Sequence, residues 1–316
     1  MSMRRRHFLA GTAVLGGAIG SSNGAPLLAQ QGPVFMGYTQ QQLDQAYDQA
    51  VWAPQLAELQ AQDDAMSAAV RKATPPRTER YGKREAEQID IFTPANARGV
   101  PVLVYFHGGQ WQLNSRLTAS FPAPTVVGRG AAYLAAGFDN ITQAWRLPDM
   151  IEQCRSAVEW TVRNAQSFGG DPSRVYVGGH SSGGHLASCV LITDWARRGL
   201  PADAIKGAFL MSGMYDLYPV TLSARGKYMQ LTPQEQAAAS AMRHLDRVNC
   251  PVAVTWADLD SPEFKRQSMV FADALQGMGR LASRTVVFAA NHFQEPQRLA
   301  KPDSELSRVL FSLMKI

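Results

Sequence analysis

Short apolar runs alternate with longer segments of helical periodicity along most of the chain. Residues 101–106 (PVLVYF) form a fully apolar run, as expected for a central strand that is buried on both faces. Residues 88–92 alternate polar and apolar side chains, which predicts a strand. Residues 148–168 instead repeat apolar side chains every three to four positions, which predicts an amphipathic helix.

The same reasoning predicts the remaining elements and, from their order, the fold class. Thr39 is the predicted N-cap of a first helix. A second helix is predicted at 54–72, and Pro75-Pro76 ends the helical pattern. Further strands are predicted at 130–136, 174–177, 204–211, 252–256 and 284–289, and further helices at 183–197, 262–278 and 305–314. This alternation predicts an α/β fold, with a mostly parallel central sheet and helices on both faces, in a single domain at 30–316.

Composition fits a folded globular chain and limits its partners. The 316 residues are 46% hydrophobic and 18% charged, which excludes a disordered or fibrous protein. The net charge of +5 includes Arg4, Arg5 and Arg6, so the rest of the chain carries 5 − 3 = +2. No later basic run is interleaved with aromatic residues, so we expect no nucleic-acid partner.

The first 29 residues have the pattern of an export signal. Arg5-Arg6-His7-Phe8-Leu9 resembles a twin-arginine signal, and a glycine-interrupted apolar stretch follows at 8–20. Small residues then lead to a predicted cleavage after Ala29, with Ala25 as the second candidate. No later stretch reaches the ~18 continuous apolar residues of a spanning helix. We expect an exported protein without stable membrane insertion, periplasmic in a Gram-negative host.

Three cysteines, Cys154, Cys189 and Cys250, are too few for a disulfide framework and lack metal-site spacing. They are predicted to be small buried hydrophobic residues, and a disulfide between two of them remains open. The sequence predicts neither a metal nor an organic cofactor.

Gly179-His180-Ser181-Ser182-Gly183 lies between a predicted strand and a predicted helix. In that context G-x-S-x-G forms a sharp turn that exposes the serine hydroxyl at the helix N-terminus. Ser181 is therefore the predicted nucleophile. The alternative is a helix-capping serine in a glycine-rich turn.

His107-Gly108-Gly109-Gln110-Trp111 directly follows the apolar strand. Glycines at this place let backbone N–H groups face a developing oxyanion. Gly108 and Gly109, with the N–H of Ser182, are the predicted donors. The alternative is an ordinary Gly-Gly turn.

Chain order identifies the base but leaves the acid open. When such a serine lies on this fold the order is Ser, acid, His, and only His292 follows the last strand. The acid is expected after the strand at 252–256, where Asp258, Asp260 and Glu263 all qualify by position.

Together these stretches resemble the kynurenine formamidase (arylformamidase) family of α/β-hydrolases. The similar segments span residues 38–316 and include HGGQW at 107–111, GGDPSRVYVGGHSSGGHLA at 169–187, SGMYDLYPV at 212–220, DSPEFKRQS at 260–268 and NHF at 291–293. The resemblance implies an α/β-hydrolase fold, Asp260 as the acid, and Glu263 as a structural residue. It implies a Ser-Asp-His hydrolase acting on a small, aryl formamide, amide or ester, and it is compatible with a homodimer.

One departure concerns the pocket. Gln110 stands where the family usually has an aromatic residue, beside the predicted oxyanion hole. Trp111, Trp145, Tyr215 and Phe293 are candidates for an aromatic pocket wall. Gln110 and the export signal favour an alternative, an exported general carboxylesterase with another substrate. A third possibility is a catalytically inactive binding protein on the same fold.

Overall fold

The computed structural model describes residues 32–142 and 145–316, so the predicted leader at 1–29 lies outside the described residues. Residues 33–316 form one compact unit. Its strands are β1 (Arg77–Arg80), β2 (Gln88–Phe92), β3 (Val100–Phe106), β4 (Ala132–Ala136), β5 (Gly170–His180), β6 (Ile205–Met211), β7 (Val252–Ala257) and β8 (Leu281–Val287).

These strands form one sheet in the order β1-β2-β4-β3-β5-β6-β7-β8. The pairs β1–β2 and β2–β4 are antiparallel, and every other neighbouring pair is parallel. The carboxyl ends of β3 and β5–β8 therefore meet at one edge, where α/β sheets place their sites.

Helices precede the first strand, occupy several connections between strands and follow the last strand. They are α1 (Gln40–Tyr47), α2 (Gln49–Trp52), α3 (Leu56–Ala73), α4 (Ala123–Gly128), α5 (Leu147–Asn164), α6 (Ser182–Leu191), α7 (Tyr218–Leu222), α8 (Gly226–Met229), α9 (Pro233–Ala238), α10 (Pro262–Gly277), α11 (Gln294–Gln297) and α12 (Glu305–Met314). Short 3₁₀ turns lie at Arg116–Ala119, Ala165–Phe168, Ala196–Arg198, Ala241–Arg243, Leu245–Arg247 and Arg298–Ala300.

Alternate side chains of β3 enter two separate cores. Val102, Val104 and Phe106 pack in the larger core, to which α5, α6 and α10 contribute. Leu103 and Tyr105 pack in the other core, which includes residues of α4 and α12. Both sheet faces are thus covered by helices, and the predicted mostly parallel α/β fold in a single domain is confirmed.

Most predicted elements are present, with shifted ends. The strand at 88–92 and the helix at 305–314 match β2 and α12, and Thr39 caps α1 with a reciprocal bond to Gln42. The last strand ends at Val287 instead of 289, because Ala289 has a φ of 51°, which a strand cannot hold.

Two further boundaries differ. α6 ends at Leu191, short of the predicted 197, where the Thr193 hydroxyl donates back to the Cys189 carbonyl. Strand β1 was not predicted because its sequence, RTER, has no apolar alternation.

All three cysteines are buried and free, which confirms their prediction as small hydrophobic residues and shows no disulfide among them. Among the helices of the described residues, none has the length and apolar character needed to cross a bilayer.

Candidate active site

Ser181 lies at the sharp turn between β5 and α6. Its backbone has φ 58° and ψ −125°, a conformation that residues other than glycine rarely adopt. The N–H of Ser181 donates to the carbonyl of Met211 at 2.9 Å, and α6 begins at the next residue. The turn places Ser181 at the carboxyl edge of the sheet, at the N-terminus of α6.

The first turn of α6 packs directly against the end of β3. A Cβ on Gly183 would lie 2.0 Å from the carbonyl oxygen of Phe106 and 2.5 Å from that of His107. No side chain fits there, which explains the glycine. The backbone at the start of α6 therefore contacts the backbone at the end of β3 directly, beside Ser181.

His292 and Asp260 form a buried pair. His292 follows β8, Asp260 follows β7, and Nδ1 of the imidazole lies 2.7 Å from Oδ2 of the carboxylate. Each residue is 1% exposed. A proton on Nδ1 satisfies the carboxylate and leaves Nε2 as the basic nitrogen. The ring of Phe264 packs edge-on against the imidazole, with centroids 4.7 Å apart.

The second carboxylate oxygen of Asp260 is also held in place. Oδ1 accepts from the Ser261 N–H at 2.7 Å and from Nε2 of Gln49 at 2.9 Å. Gln49 begins α2, far away in sequence, and lies in no motif. Both contacts fix the orientation of the carboxylate.

The other acid candidates have different partners. Asp258 accepts from the Ala290 N–H at 3.2 Å, so it braces the turn before His292. Glu263 is buried in α10, where it pairs with Arg266 at 2.7 Å. Of the three candidates, only Asp260 contacts His292.

Ser181 and His292 line the same cavity. No hydrogen bond joins their side chains in the described chain, whereas the bond between His292 and Asp260 is formed. Such catalytic bonds often tighten only when substrate is bound. The structure therefore brings all three predicted residues to one site, with one of the two expected bonds in place.

The predicted oxyanion donors border the same place. A Cβ on Gly108 would lie 3.3 Å from Cβ of Ser181, so this backbone passes directly beside the serine. The N–H groups of Gly108 and Gly109 donate to no backbone carbonyl in the described chain. Ser182 is the first residue of α6, where an N–H has no intrahelical acceptor.

A left-handed turn shapes this loop. Gly109 has a φ of 119°, and a Cβ there would lie 2.2 Å from the carbonyl oxygen of Leu113. Gln110 and Trp111 follow with φ of 56° and 62°. The turn is closed by the Leu113 N–H, which donates to the Gly109 carbonyl at 2.8 Å.

Part of the predicted pocket wall lines the cavity. Gln110 and Phe293 do so, beside Ser181 and His292. Trp111, Trp145 and Tyr215 are not among its lining residues.

The packing of these rings explains the difference. Tyr215 is 1% exposed and stacks on Phe271 at 4.2 Å, and Trp111 is also 1% exposed. The guanidinium of Arg84 lies 3.4 Å from the Trp145 ring centroid. Burying a large ring stabilises the core, so Trp111 and Tyr215 instead serve packing.

Three charged residues of the cavity wall carry no sequence signal. Asp63 and Asp64 come from α3, and Arg225 precedes α8. Burial raises the pKa of Asp63 to about 6, although Nε2 of Gln297 donates to it. Burial lowers the pKa of Arg225.

A buried carboxyl, Glu295, lies behind the imidazoles. It accepts from Oγ of Ser212 at 2.5 Å and from Oγ1 of Thr255 at 2.6 Å, and Nε2 of His180 is 4.0 Å away. Burial raises the pKa of Glu295 to about 8 and lowers that of His180. The His180 and His292 ring centroids are 4.4 Å apart, so these groups flank the candidate base.

The chain is similar to known hydrolases in sequence and in fold. The family model BD-FAE matches residues 89–205. Kynurenine formamidase of Danio rerio is 31% identical over 291 residues, covering 86% of this chain and 96% of its own. Isoprenylcysteine alpha-carbonyl methylesterase ICME of Arabidopsis thaliana is 26% identical, covering 71% and 58%. An esterase structure from Pyrobaculum calidifontis superposes with a TM-score of 0.63 at 19% identity, covering 83% and 94%.

Proposed function

The chain belongs to the kynurenine formamidase family of α/β-hydrolases, and from that premise we propose that it hydrolyses a small, aryl formamide, amide or ester through an acyl-enzyme on Ser181. The observation that carries this proposal is the buried 2.7 Å pair of His292 and Asp260, on the cavity that Ser181 also lines.

The first chemical step uses the free nitrogen of His292. With Nδ1–H donated to Asp260, Nε2 takes the proton of the Ser181 hydroxyl as Oγ bonds to the substrate carbonyl carbon. The carbonyl oxygen becomes an oxyanion. The N–H groups of Gly108, Gly109 and Ser182 stabilise its charge, because they are fixed donors with no competing backbone acceptor.

The later steps return the proton. The imidazolium gives its Nε2 proton to the leaving amine or alcohol as the carbonyl re-forms, which leaves an ester on Ser181. A water then attacks this ester and passes a proton to His292. The second collapse releases the acid and restores Ser181. Buried Asp260 stabilises the imidazolium in both halves.

One observation favours a second candidate, a general carboxylesterase. Gln110 lines the cavity where the family usually has an aromatic residue. An amide side chain adds donors and an acceptor to the wall next to the oxyanion loop. The same residues then act on an ester whose alcohol leaves more easily than an amine.

The test is kcat/KM of the purified chain on N-formyl-L-kynurenine beside 4-nitrophenyl acetate, with Ser181→Ala as the blank. A strong preference for the formamide supports the first candidate, and a strong preference for the ester supports the second. A fluorophosphonate probe should label the unaltered protein and not the variant. Absence of labelling and of turnover would instead support an inactive binding protein.

We also propose export, which rests on the sequence at 1–29 alone. Replacing Arg5 and Arg6 with lysine keeps the charge but removes the twin-arginine pair. In a Gram-negative host, the altered chain should remain in the cytoplasmic fraction, while the unaltered chain reaches the periplasm. Equal distribution would exclude the twin-arginine signal.

A further inference from the structure

Gln49 connects the cavity wall to the candidate acid. It is 1% exposed and lines the same cavity as Ser181 and His292. Its Nε2 donates to Oδ1 of Asp260 at 2.9 Å, although the two residues are 211 positions apart in the chain. The catalytic scheme above gives Gln49 no part.

Three contacts hold the carboxylate of Asp260, and they differ in kind. The Ser261 N–H belongs to the adjacent residue, and the imidazole of His292 is the group that the carboxylate must orient. Gln49 is the remaining contact in the described chain, and it comes from a separate segment. The last torsion of an aspartate has a broad preference, so the partners of the carboxylate set its angle.

A buried cation makes this anchor important. Arg225 lies in the cavity wall, is 5% exposed, and its charge interacts with that of Asp260 without a direct ion pair. Attraction between opposite charges is strong where water is excluded. A carboxylate free to turn would rotate toward the guanidinium and misalign Oδ2 with Nδ1 of His292. The amide of Gln49 opposes that rotation, because it holds Oδ1.

The other end of the amide has no partner. Oε1 of Gln49 is buried and accepts no hydrogen bond within the part of the chain that the structure describes. A buried carbonyl oxygen without a donor destabilises a folded protein, and an apolar side chain of the same length avoids that cost. Stability alone therefore does not explain a glutamine at this position, whereas its contact with Asp260 does.

The segment that carries the amide is itself fixed. We call residues 40–52, which comprise α1 and α2, the N-terminal strap. Oγ of Ser261 donates to the Ala46 carbonyl at 2.6 Å, and the Tyr47 hydroxyl donates to Oε2 of Glu263 at 2.9 Å. Both bonds join the strap to the turn after β7, so the amide is held relative to the acid on that turn.

From these contacts we propose that Gln49 is a positioning residue, whose Nε2 holds the Asp260 carboxylate at the angle that the imidazole of His292 requires. The imidazolium forms in both halves of the reaction, so each half depends on this angle. Gln49 acts through Asp260 and transfers no proton. The inference rests on the proposed hydrolase function and adds a residue of the N-terminal strap to it.

The test is a double-mutant cycle on kcat for 4-nitrophenyl acetate, with Ser181→Ala as the blank. Gln49→Met keeps the length of the side chain but removes the donor. It should lower kcat about tenfold and change KM by less than about twofold. In the Asp260→Ala background the same substitution should change kcat by less than about twofold, because no carboxylate is left to hold. An equal fold loss in both backgrounds would overturn the positioning role.

Tyr47→Phe is the matched control within the strap. It removes the hydroxyl bond to Glu263 but leaves the carboxylate of Asp260 untouched, so kcat should stay unchanged. A loss as large as that of Gln49→Met would show that packing of the strap matters and the bond to Asp260 does not. Circular dichroism checks that each variant is folded. If Gln49→Met unfolds, Gln49→Asn, whose amide is one methylene shorter, replaces it in the cycle.

A fluorophosphonate probe separates the two ways in which the inference can fail. If the unaltered protein is labelled at Ser181 and Gln49→Met hydrolyses the ester with unchanged kcat, only the role of Gln49 is refuted. If the unaltered protein neither reacts with the probe nor hydrolyses the ester, the hydrolase proposal is refuted, and the role of Gln49 with it.

Discussion

The indole N–H of Trp111 donates to Nδ1 of His185 at 3.1 Å, joining the loop after β3 to the helix that follows Ser181. Burial lowers the pKa of His185 to about 4, so the ring is neutral near pH 7. Its Nε2 lies 2.9 Å from the carbonyl of Ala239, which places the proton on Nε2 and leaves Nδ1 to accept. One hydrogen bond thus orients the proposed oxyanion loop relative to the proposed nucleophile.

Trp111→Phe should lower kcat about tenfold with little change in KM. The variant keeps an aromatic ring but loses the donor, and a loosened loop weakens oxyanion binding in the transition state. The measurement is steady-state kinetics on 4-nitrophenyl acetate.

Trp195→Phe is the matched control. The Trp195 indole N–H is buried without a hydrogen-bond partner in the described chain, so its loss should leave kcat unchanged. If both substitutions have the same effect on kcat, the bond to His185 does not position the loop.

Asp260→Asn should reduce kcat by about 10³-fold or more, because an amide cannot hold the imidazole tautomer or stabilise its charge. Asp258→Asn should cost less than tenfold, since it only braces the turn at Ala290. Both are measured with the same ester. If Asp258→Asn lowers kcat far more than Asp260→Asn does, the assignment of Asp260 as the acid is refuted.

Glu295→Gln should change how stability depends on pH. Burial raises the pKa of Glu295 in the folded protein to about 8, whereas the ordinary pKa of a glutamate is 4.5. Between pH 4.5 and pH 8 the folded state therefore binds more protons than the unfolded state. The contribution of Glu295 to the free energy of unfolding is complete below about pH 4.5 and is lost as the pH rises toward 8. Glutamine does not titrate. The free energy of unfolding of Glu295→Gln, relative to that of the unaltered protein, should therefore rise by on the order of 2 to 4 kcal/mol from pH 5 to pH 9.

The measurement is urea unfolding of both proteins at each pH. Subtracting one free energy of unfolding from the other cancels the titrations that the two proteins share, including any at His180 that does not depend on Glu295. A difference that stays constant from pH 5 to pH 9 would contradict a proton on Glu295.

Gly109→Ala should abolish most activity, by about 10²-fold or more. Alanine disfavours a φ of 119°, and its Cβ would collide with the Leu113 carbonyl, so the donors must move. Gly128→Ala, with open space around its Cβ, is the control and should retain activity. Circular dichroism should show both folded. Normal turnover by Gly109→Ala would exclude this loop from the oxyanion hole.

Sequence reasoning found the parts of the site that lie in short motifs. Ser181 and Gly108 each lie in a local motif, and chain order indicates His292. The structure brings the three residues together at one sheet edge. The acid was chosen by resemblance, because Asp258 and Asp260 are equivalent in pattern. Only the folded chain separates them, through the bond to His292.

The rest depends on contacts between distant segments. Gln49 reaches Asp260 across 211 positions, and Arg225 meets the Tyr47 carbonyl across 178. Neither residue stands in a pattern that predicts this. Of the predicted aromatic wall, Tyr215 stacks on Phe271, and composition cannot tell a ring that lines a cavity from one that fills a core.

The contact of Gly183 with the Phe106 carbonyl has a consequence for how such a protein can change over generations. The spacing between Ser181 and the proposed oxyanion donors is set there by backbone alone, at a place that tolerates no side chain. The cavity wall, by contrast, includes side chains of α3, of the loop before α8, of the loop after β8 and, at Gln110, of the loop after β3. Mutations can therefore exchange one substrate preference for another while the reaction geometry is inherited intact.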